Sequence, residues 1–408
     1  MLYLRLAWRN LWRNRRRTII TASAVFFAGF AVISMRMLQL GTYDLMVRNV
    51  VGSHEGFIQI HKKGYWEEQT LDNSFEMDES LIETVEGVSG VVGVSPRLSS
   101  FSLSSEGLHS RPVQVEGFDI DRESVMHFDK GVFSNQTPEG FGYPGDGVII
   151  GSELADFLKV GIGDSIVFIG QGYHGQSAPA LQPVTGIATL SNPILNKGTV
   201  FMDLAMSQYI YAADHRITAL AIDIAPDEDL TELTEAIRSK VDTSVYEVMN
   251  WREMMPELVQ TIQADSAGGI LMAGILYIVI SFSLLGTFIM LAAERKREYG
   301  MLIGLGMRRR QLMVVAFMEA FFMALLGSVA AIVITRPIGV YYHNHPIQLT
   351  GKAMDAMRDM GMDAAMQSSI DWSIPLVHSM GLLFLTLLIS CYGLIVISRL
   401  KPVTAMRS

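Results

Sequence analysis

One cysteine, Cys391, is present in the 408 residues. It lies inside the last apolar run and reads as a small packing residue, so no disulfide framework braces the fold and the redox compartment is not indicated. The chain also lacks a Gly-x-x-x-x-Gly-Lys-Ser/Thr loop and so has no recognisable ATP site of its own. His-Glu-x-x-His, Cys-x-x-Cys and Gly-x-Ser-x-Gly are missing too, which removes the common signatures of zinc hydrolases, thiol redox proteins and serine hydrolases. Arginine clusters occur only beside apolar runs, so nothing points to a nucleic-acid partner.

What is abundant is apolar sequence. Half the residues are hydrophobic (50%), yet 18% are charged and the formal net charge is −9. That mixture predicts a few membrane spans joined to a sizeable acidic soluble domain. The apolar runs fall at residues 18–40, 267–293, 312–335 and 374–398, each about the length of a bilayer core. Lys and Arg concentrate in residues 1–17, 294–310 and 399–408, whereas residues 41–263 and 336–373 carry no such excess. This alternation predicts four spans, both termini cytoplasmic and the large domain extracytoplasmic.

Residues 1–17 place Leu4, Trp8, Leu11 and Trp12 on one helical face among arginines, with no acidic residue. This fits an amphipathic helix lying in the membrane interface. A signal peptide is the rival reading, but the following apolar run is too long for one and shows no clear cleavage site. In the first span Ala24, Ala28 and Ala31 form a stripe suited to close helix contact, within this chain or with another. Arg36 reads as snorkelling to the interface.

The soluble domain has mixed signals. Short strands are expected at residues 57–61, 91–98, 113–118, 147–150, 165–169, 184–188, 199–202 and 218–224. Helices are expected at 81–86, 152–158 and 227–241, the last capped by Asp227 or Asp229. Residues 145–147 and 159–164 read as turns, residues 170–183 as a mobile loop, and the domain as two lobes with an unplaced boundary. Residues 38–50 and 246–263 read as helical stalks, with Pro256 able to open a helix in the second.

Few residues offer chemistry. His343 and His345 could chelate a metal but read better as polar loop residues. Asp119, Asp121 and Glu123 lack a full calcium-ligand pattern and read as solvated turn charges. Glu319, inside the third span, must either face a polar interior, pair with a neighbouring helix, or reach water or Arg308–Arg310 at the cytoplasmic end. The basic turn at 294–310 has an apolar middle. Met301, Leu302 and Leu305 share one side of a short helix there, either to dock a partner or to lie on the bilayer.

Three stretches resemble the FtsX-like permeases of the MacB/lipoprotein-releasing ABC transporter superfamily: Leu6-Ala-Trp-Arg-Asn-Leu-Trp-Arg-Asn-Arg-Arg-Arg-Thr18, Glu294-Arg-Lys-Arg-Glu-Tyr-Gly-Met-Leu-Ile-Gly-Leu-Gly-Met307 and Arg399-Leu-Lys-Pro-Val-Thr-Ala-Met-Arg407. In the soluble domain, Gly147-Val-Ile-Ile-Gly-Ser-Glu-Leu-Ala155 with Val160-Gly-Ile-Gly-Asp164 is similar as well. Tyr299 stands where an aliphatic is more usual. The resemblance covers nearly the whole chain. It implies four transmembrane helices with a mixed α/β extracytoplasmic domain inserted after the first. It also implies a non-enzymatic permease subunit in the bacterial inner membrane, coupled to a cytoplasmic ABC ATPase dimer. This chain would bind no cofactor, while ATP and Mg would sit in the ATPase. Glu294, Arg297, Glu298, Gly300, Met301, Leu302 and Leu305 would form the coupling element. A second copy or a homologous permease would complete the membrane part.

Without a fused ATPase, the nearest subgroup is the lipoprotein-releasing type, also suggested by Gly56-Phe-Ile-Gln-Ile-His61, with a periplasmic carrier or adaptor as a further partner. That subgroup implies an apolar cavity for a lipid-bearing substrate. Its candidate liners are Val25, Phe26, Ile33, Met37, Leu271, Ile275, Ile278 and Phe282, each of which ordinary lipid contact would explain equally well. The alternatives are a transmembrane regulator of a periplasmic hydrolase and a peptide or drug efflux permease.

Overall fold

The computed structural model describes residues 2–13, 15–126, 147–189, 193–225, 228–352, 354, 357 and 364–398. Residues 399–407, the turn at 145–146 and Asp227 lie outside them. The chain divides into two compact units. One holds Met1–Asp44, Thr261–Gln348 and Ala365–Ser408, and the other holds Leu45–Gln260 and Leu349–Ala364.

The second unit is built on strands β1 (Ile58–Lys62), β2 (Phe75–Glu76), β3 (Val91–Glu106), β4 (His109–Phe118), β5 (Val148–Gly151), β6 (Ser165–Gln171), β7 (Ser177–Ala188), β8 (Thr199–Asp203), β9 (Arg216–Ile217), β10 (Ala219–Ile224) and β11 (Tyr246–Asn250). Nine of them form one sheet in the order β11-β1-β10-β3-β4-β8-β5-β7-β6. The expected two lobes are therefore not two sheets. β3 is 16 residues long and serves both ends. Its first half pairs with β10, and its second half pairs with β4 and also with β6, which closes a hydrogen-bonded circuit of six strands.

The core beneath the sheet is aliphatic, with Ile58, Ile60, Val115, Ile150, Leu154, Leu220 and Ile222 fully buried. Short helices cover it, including Glu79–Glu86 and Leu230–Arg238. The second of these is capped by Asp229, whose carboxylate accepts from Thr231 and Glu232 N–H, and Leu233 and Ile237 form its buried stripe.

Three expectations change in this unit. Residues 170–183 are largely strand, because β6 and β7 pair from Ser165↔Pro183 to Gln171↔Ser177. The Gly/Gln/Ser/Pro composition marks a hairpin tip, not a long loop. Residues 246–250 form the edge strand β11 against β1, so the second stalk begins later. Asn250 caps Trp251–Met254 with Glu253 closing the capping box, and Pro256 opens the long helix that follows. Glu123 is fully buried, pairs with Arg97 at 2.8 Å, and accepts from the N–H groups of Val125 and Met126. Only Asp119 and Asp121 of that trio behave as solvated turn charges.

Among the described residues four helices are long and apolar enough to cross a membrane, Thr18–Val50, Pro256–Met290, Arg309–Asn344 and Ser373–Ile395, and most of their length belongs to the first unit. A 12-residue amphipathic helix, Leu2–Arg13, precedes them. The third long helix runs through Pro337 to Asn344, past its expected exit at Arg336. Proline is tolerated in apolar helices because neighbouring groups re-satisfy the freed carbonyl. His343 and His345 near its end are engaged with backbone, their Nδ1 atoms 2.9 Å from Ser368 O and 3.2 Å from Tyr341 O. No group of three metal-capable side chains occurs among the described residues.

The small-residue stripe is partly used within the chain. Ala28 is buried, and a Cβ on Gly29 would lie 2.9 Å from the Ala331 Cβ. Opposite, a Cβ on Gly327 would lie 2.6 Å from Ala22 O and 2.7 Å from Val25 Cβ. Ala31 faces outward. Gly327→Ile should therefore force the first and third helices apart and destabilise the protein by about 1–3 kcal/mol, whereas Ala31→Ile should leave it unchanged. Thermal unfolding of the detergent-solubilised variants measures this, and equal melting of the two would refute the contact.

Candidate functional site

The third and second long helices are joined by the turn expected to couple. A short helix, Lys296–Gly304, occupies it. It ends in a Schellman arrangement, with Met307 N–H donating to Leu302 O at 3.0 Å and Gly306 N–H to Ile303 O at 3.0 Å. Gly306 sits at φ +99°, a left-handed conformation that favours glycine. The next helix starts at once, with the Arg308 N–H donating to Gln311 Oε1.

The helix has two faces. Tyr299 and Gly300 are buried, and Tyr299 packs with Leu312 and Ile397. On the other side Met301 is 47% exposed, Leu302 40% and Leu305 85%. Glu294 and Arg297 are exposed as well. Glu298 is half-exposed and lies 3.8 Å from Arg13 of the amphipathic helix, a surface pair of little energetic weight.

Beneath this surface lies the feature that left Glu319 open in the sequence. Glu319 is 3% exposed and forms an ion pair with Arg295, itself 7% exposed. Its other oxygen accepts from Asn10 Nδ2 at 2.8 Å. Arg295 also points Nη1 at the Tyr299 hydroxyl, 3.4 Å away. The partner of Glu319 is thus Arg295 and not the Arg308–Arg310 cluster. Asn10, Arg295 and Glu319 tie together the amphipathic helix, the turn and the third long helix. Tyr299, unusual for its place, gives Arg295 an acceptor that an aliphatic would not. No sequence signal singled out Asn10, because a lone Asn on an arginine-rich helix reads as a solvated residue.

A groove of about 490 Å³ opens over this pair, lined by the amphipathic helix at Leu6 and Arg9, by Met301, Leu302 and Leu305 of the turn, and by Leu312 and Val315. Its floor is charged but internally neutralised, and its rim sets the apolar Leu6, Met301, Leu302 and Leu305 beside the charged Arg9, Arg13 and Glu298. Such a surface accepts a partner's apolar side chains without stranding a buried charge.

The lipid-cavity candidates separate into two sets. Val25, Ile33 and Met37 are fully buried, Val25 with Leu284 and Leu382, Ile33 and Met37 with Ala331 and Ile374. They fill the helix bundle and present nothing to a cavity, because the third and fourth helices pack over them. Phe26 is half-buried against that cluster. By contrast Leu271, Ile275, Ile278 and Phe282 are exposed at 71%, 56%, 58% and 71% and form a continuous apolar face of the second helix. A second apolar surface lies on the soluble unit. On β3, β6 and β7, Phe101, Leu103, Ile169 and Leu181 point outward and are exposed, with Leu103 registered opposite Ile169.

An α-helical unit with four apolar helices, and a mixed α/β domain following the first, defines a membrane permease architecture. Residues 18–240 match the MacB-like periplasmic core domain and residues 270–402 the FtsX-like permease C-terminal region. The chain belongs to the FtsX/MacB-type permease family. It is 19% identical over 273 residues to the lipoprotein-releasing system transmembrane protein LolC of Neisseria meningitidis serogroup B, covering 64% of this chain and 65% of the relative. It is 23% identical over 359 residues to the macrolide export ATP-binding/permease protein MacB of Nitrobacter winogradskyi, covering 82% of this chain and 52% of the relative. Thus it spans about two thirds and about half the length of these relatives. The periplasmic region of MacB from Actinobacillus actinomycetemcomitans is similar at 14% identity over 53% of this chain and 95% of that one, with a TM-score of 0.35.

Breaking the buried pair from one side strands a charge. Glu319→Leu or Arg295→Met alone should cost roughly 3–5 kcal/mol, and the Arg295→Met/Glu319→Leu double variant should recover much of that loss. Thermal unfolding of the solubilised protein tests the cycle. Additive losses in the double variant would show that the two side chains act independently.

Proposed function

We propose that this chain is the permease subunit of an ABC transporter of the mechanotransmission type, with the turn at 294–310 cytoplasmic and the soluble domain periplasmic. The ATPase would seat an apolar ridge against Met301, Leu302 and Leu305. Movement there would pass to the third long helix and the amphipathic helix through Arg295, Glu319 and Asn10. The observation that carries this reading is the two-faced turn helix, buried on a neutralised ion pair and apolar on its free side. The basic residues of the turn support its cytoplasmic placement.

For the substrate, extraction of a lipoprotein or another amphiphile from the outer leaflet fits best. The face at Leu271, Ile275, Ile278 and Phe282 would meet either lipid or a second permease, a copy or a homologue, and these four are the cavity-lining candidates left exposed. A periplasmic carrier or adaptor would meet the Phe101/Leu103/Ile169/Leu181 surface. The LolC relative supports lipoprotein release. The MacB relative, matched over 82% of this chain, supports efflux through an adaptor as the second reading.

Replacing Met301 and Leu302 together with Asp should abolish permease-dependent stimulation of the co-purified ATPase while leaving thermal unfolding of the permease unchanged. Stimulation that survives in the well-folded double variant would remove the docking role. Release of lipoproteins from spheroplasts on ATP addition separates the two substrate readings. Its absence, together with macrolide sensitivity of a deletion strain, would favour efflux.

A further inference from the structure

The soluble unit contains a buried group of ionisable side chains that neither the turn nor the apolar surfaces use. His54 is 2% exposed, and its Nδ1 lies 3.2 Å from Glu55 Oε1. Gln59 Nε2 donates to Glu55 Oε2 at 3.0 Å, while Gln59 Oε1 accepts from His61 Nε2 at 2.7 Å. Arg97 donates to both oxygens of Glu123, at 3.1 and 2.8 Å, and to the carbonyl of His54. These charges are thus matched in pairs.

Glu116, 2% exposed, is the exception. It accepts from Ser99 Oγ at 2.8 Å and Gln114 Nε2 at 2.6 Å, both neutral, and forms no ion pair among the described residues. A cavity of about 130 Å³ opens beside it, lined by Tyr65, Trp66 and Phe101 and also by His54, Glu55 and Arg97, whose charges are engaged with one another and with Glu123. Gln69, Ser99 and Phe101 also line a second cavity of about 240 Å³.

Gln59 commits its NH₂ group to Glu55, so His61 must carry its proton on Nε2, which leaves Nδ1 a bare acceptor. Among the described residues that atom is buried without a partner, and so is His54 Nε2. A buried polar atom left in this way is costly. Glu116 thus lies without an ion-pair partner among the described residues, beside a cavity walled in part by the aromatic rings of Tyr65, Trp66 and Phe101. We infer that the cavity beside Glu116 binds a small primary ammonium ion, whose NH₃⁺ group donates to Glu116 against the faces of Tyr65 and Trp66. The hydroxyl- and amide-lined second cavity takes the polar remainder of the ligand.

Burial, reinforced by Glu55, raises the pKa of the empty Glu116, although His54, Arg97 and the Ser99 hydrogen bond pull it down. An ammonium ion favours the ionised carboxylate, so binding draws any bound proton off Glu116 and does not weaken as pH rises toward the amine's own pKa. The neighbouring groups enter the same balance. Glu55, which is only partly buried, is held down to about 2 by His54 against the desolvation that would raise it, and Glu55 in turn raises the pKa of the buried His54. Burial pushes His61 down to about 4 and so keeps it neutral.

Titration calorimetry of the full-length protein in maltoside detergent tests the site. The probes are ethanolamine and its neutral counterpart ethylene glycol, in two buffers of different ionisation enthalpy at two pH values straddling neutrality. Ethanolamine should bind saturably with proton release and change the emission of Trp66, and ethylene glycol should not. Glu116→Gln should weaken binding by roughly a hundredfold, the scale on which one partner of a buried charge pair acts. Trp66→Leu should weaken it about tenfold. No saturable binding by protein that unfolds cooperatively, equal binding of ethylene glycol, or unchanged affinity in Glu116→Gln would each overturn the assignment. The permease reading is independent of every one of these outcomes.

Discussion

A carboxylate enclosed by apolar helices must be neutralised, and Glu319 is neutralised by Arg295. The rest of the turn follows from that requirement. Arg295 has to leave the basic surface and point inward. Tyr299 then sits where its hydroxyl can meet the guanidinium, and Asn10 brings the amphipathic helix onto the remaining carboxylate oxygen. With these groups turned inward, Met301, Leu302 and Leu305 are turned out. The apolar ridge and the buried ion pair are two sides of one short helix. A turn built this way resists sliding, because any shift away from the third helix separates charges that cannot reach water.

In the soluble unit the governing constraint is the length of β3. A single strand of 16 residues pairs with β10 at one end and with β4 and β6 at the other. Along its second half the usual polarity is reversed. Ser100, Ser102 and Ser104 are buried while Phe101 and Leu103 face out. Ser102 meets the Tyr211 hydroxyl at 2.7 Å, and Gly170 leaves room for that contact, since a Cβ there would lie 2.2 Å from the serine oxygen. Small side chains allow the six-strand circuit to close, and the large ones are left exposed on the outer face.

Much of this was legible beforehand. The four apolar runs, the basic flanks, most strands, the Asp229 cap and Pro256 at a helix start all follow from local composition and spacing. The hairpin of β6 and β7 was not, because Gly, Pro and Ser read as loop when no partner strand is in view. The edge strand β11 was not, because its apolar spacing also suits a helix and only pairing with β1 distinguishes the two. Glu123 read as a solvated charge because Arg97, its partner, lies 26 positions earlier. Of the cavity candidates, Val25, Ile33 and Met37 could not be told from Leu271 or Phe282 by hydrophobicity, since core and lipid demand the same residues.

By itself, the order of residues determined how many helices could span a membrane, where a soluble domain interrupts them, and that the turn at 294–310 is basic with an apolar middle. Those properties belong to each segment's own preference for water or hydrocarbon. Only the tertiary structure decided which charge meets Glu319, which apolar residues remain free, and that Glu116 is enclosed with no ion pair among the described residues. Asn10 and Glu319 are 309 positions apart, and no periodicity reports a contact at that separation.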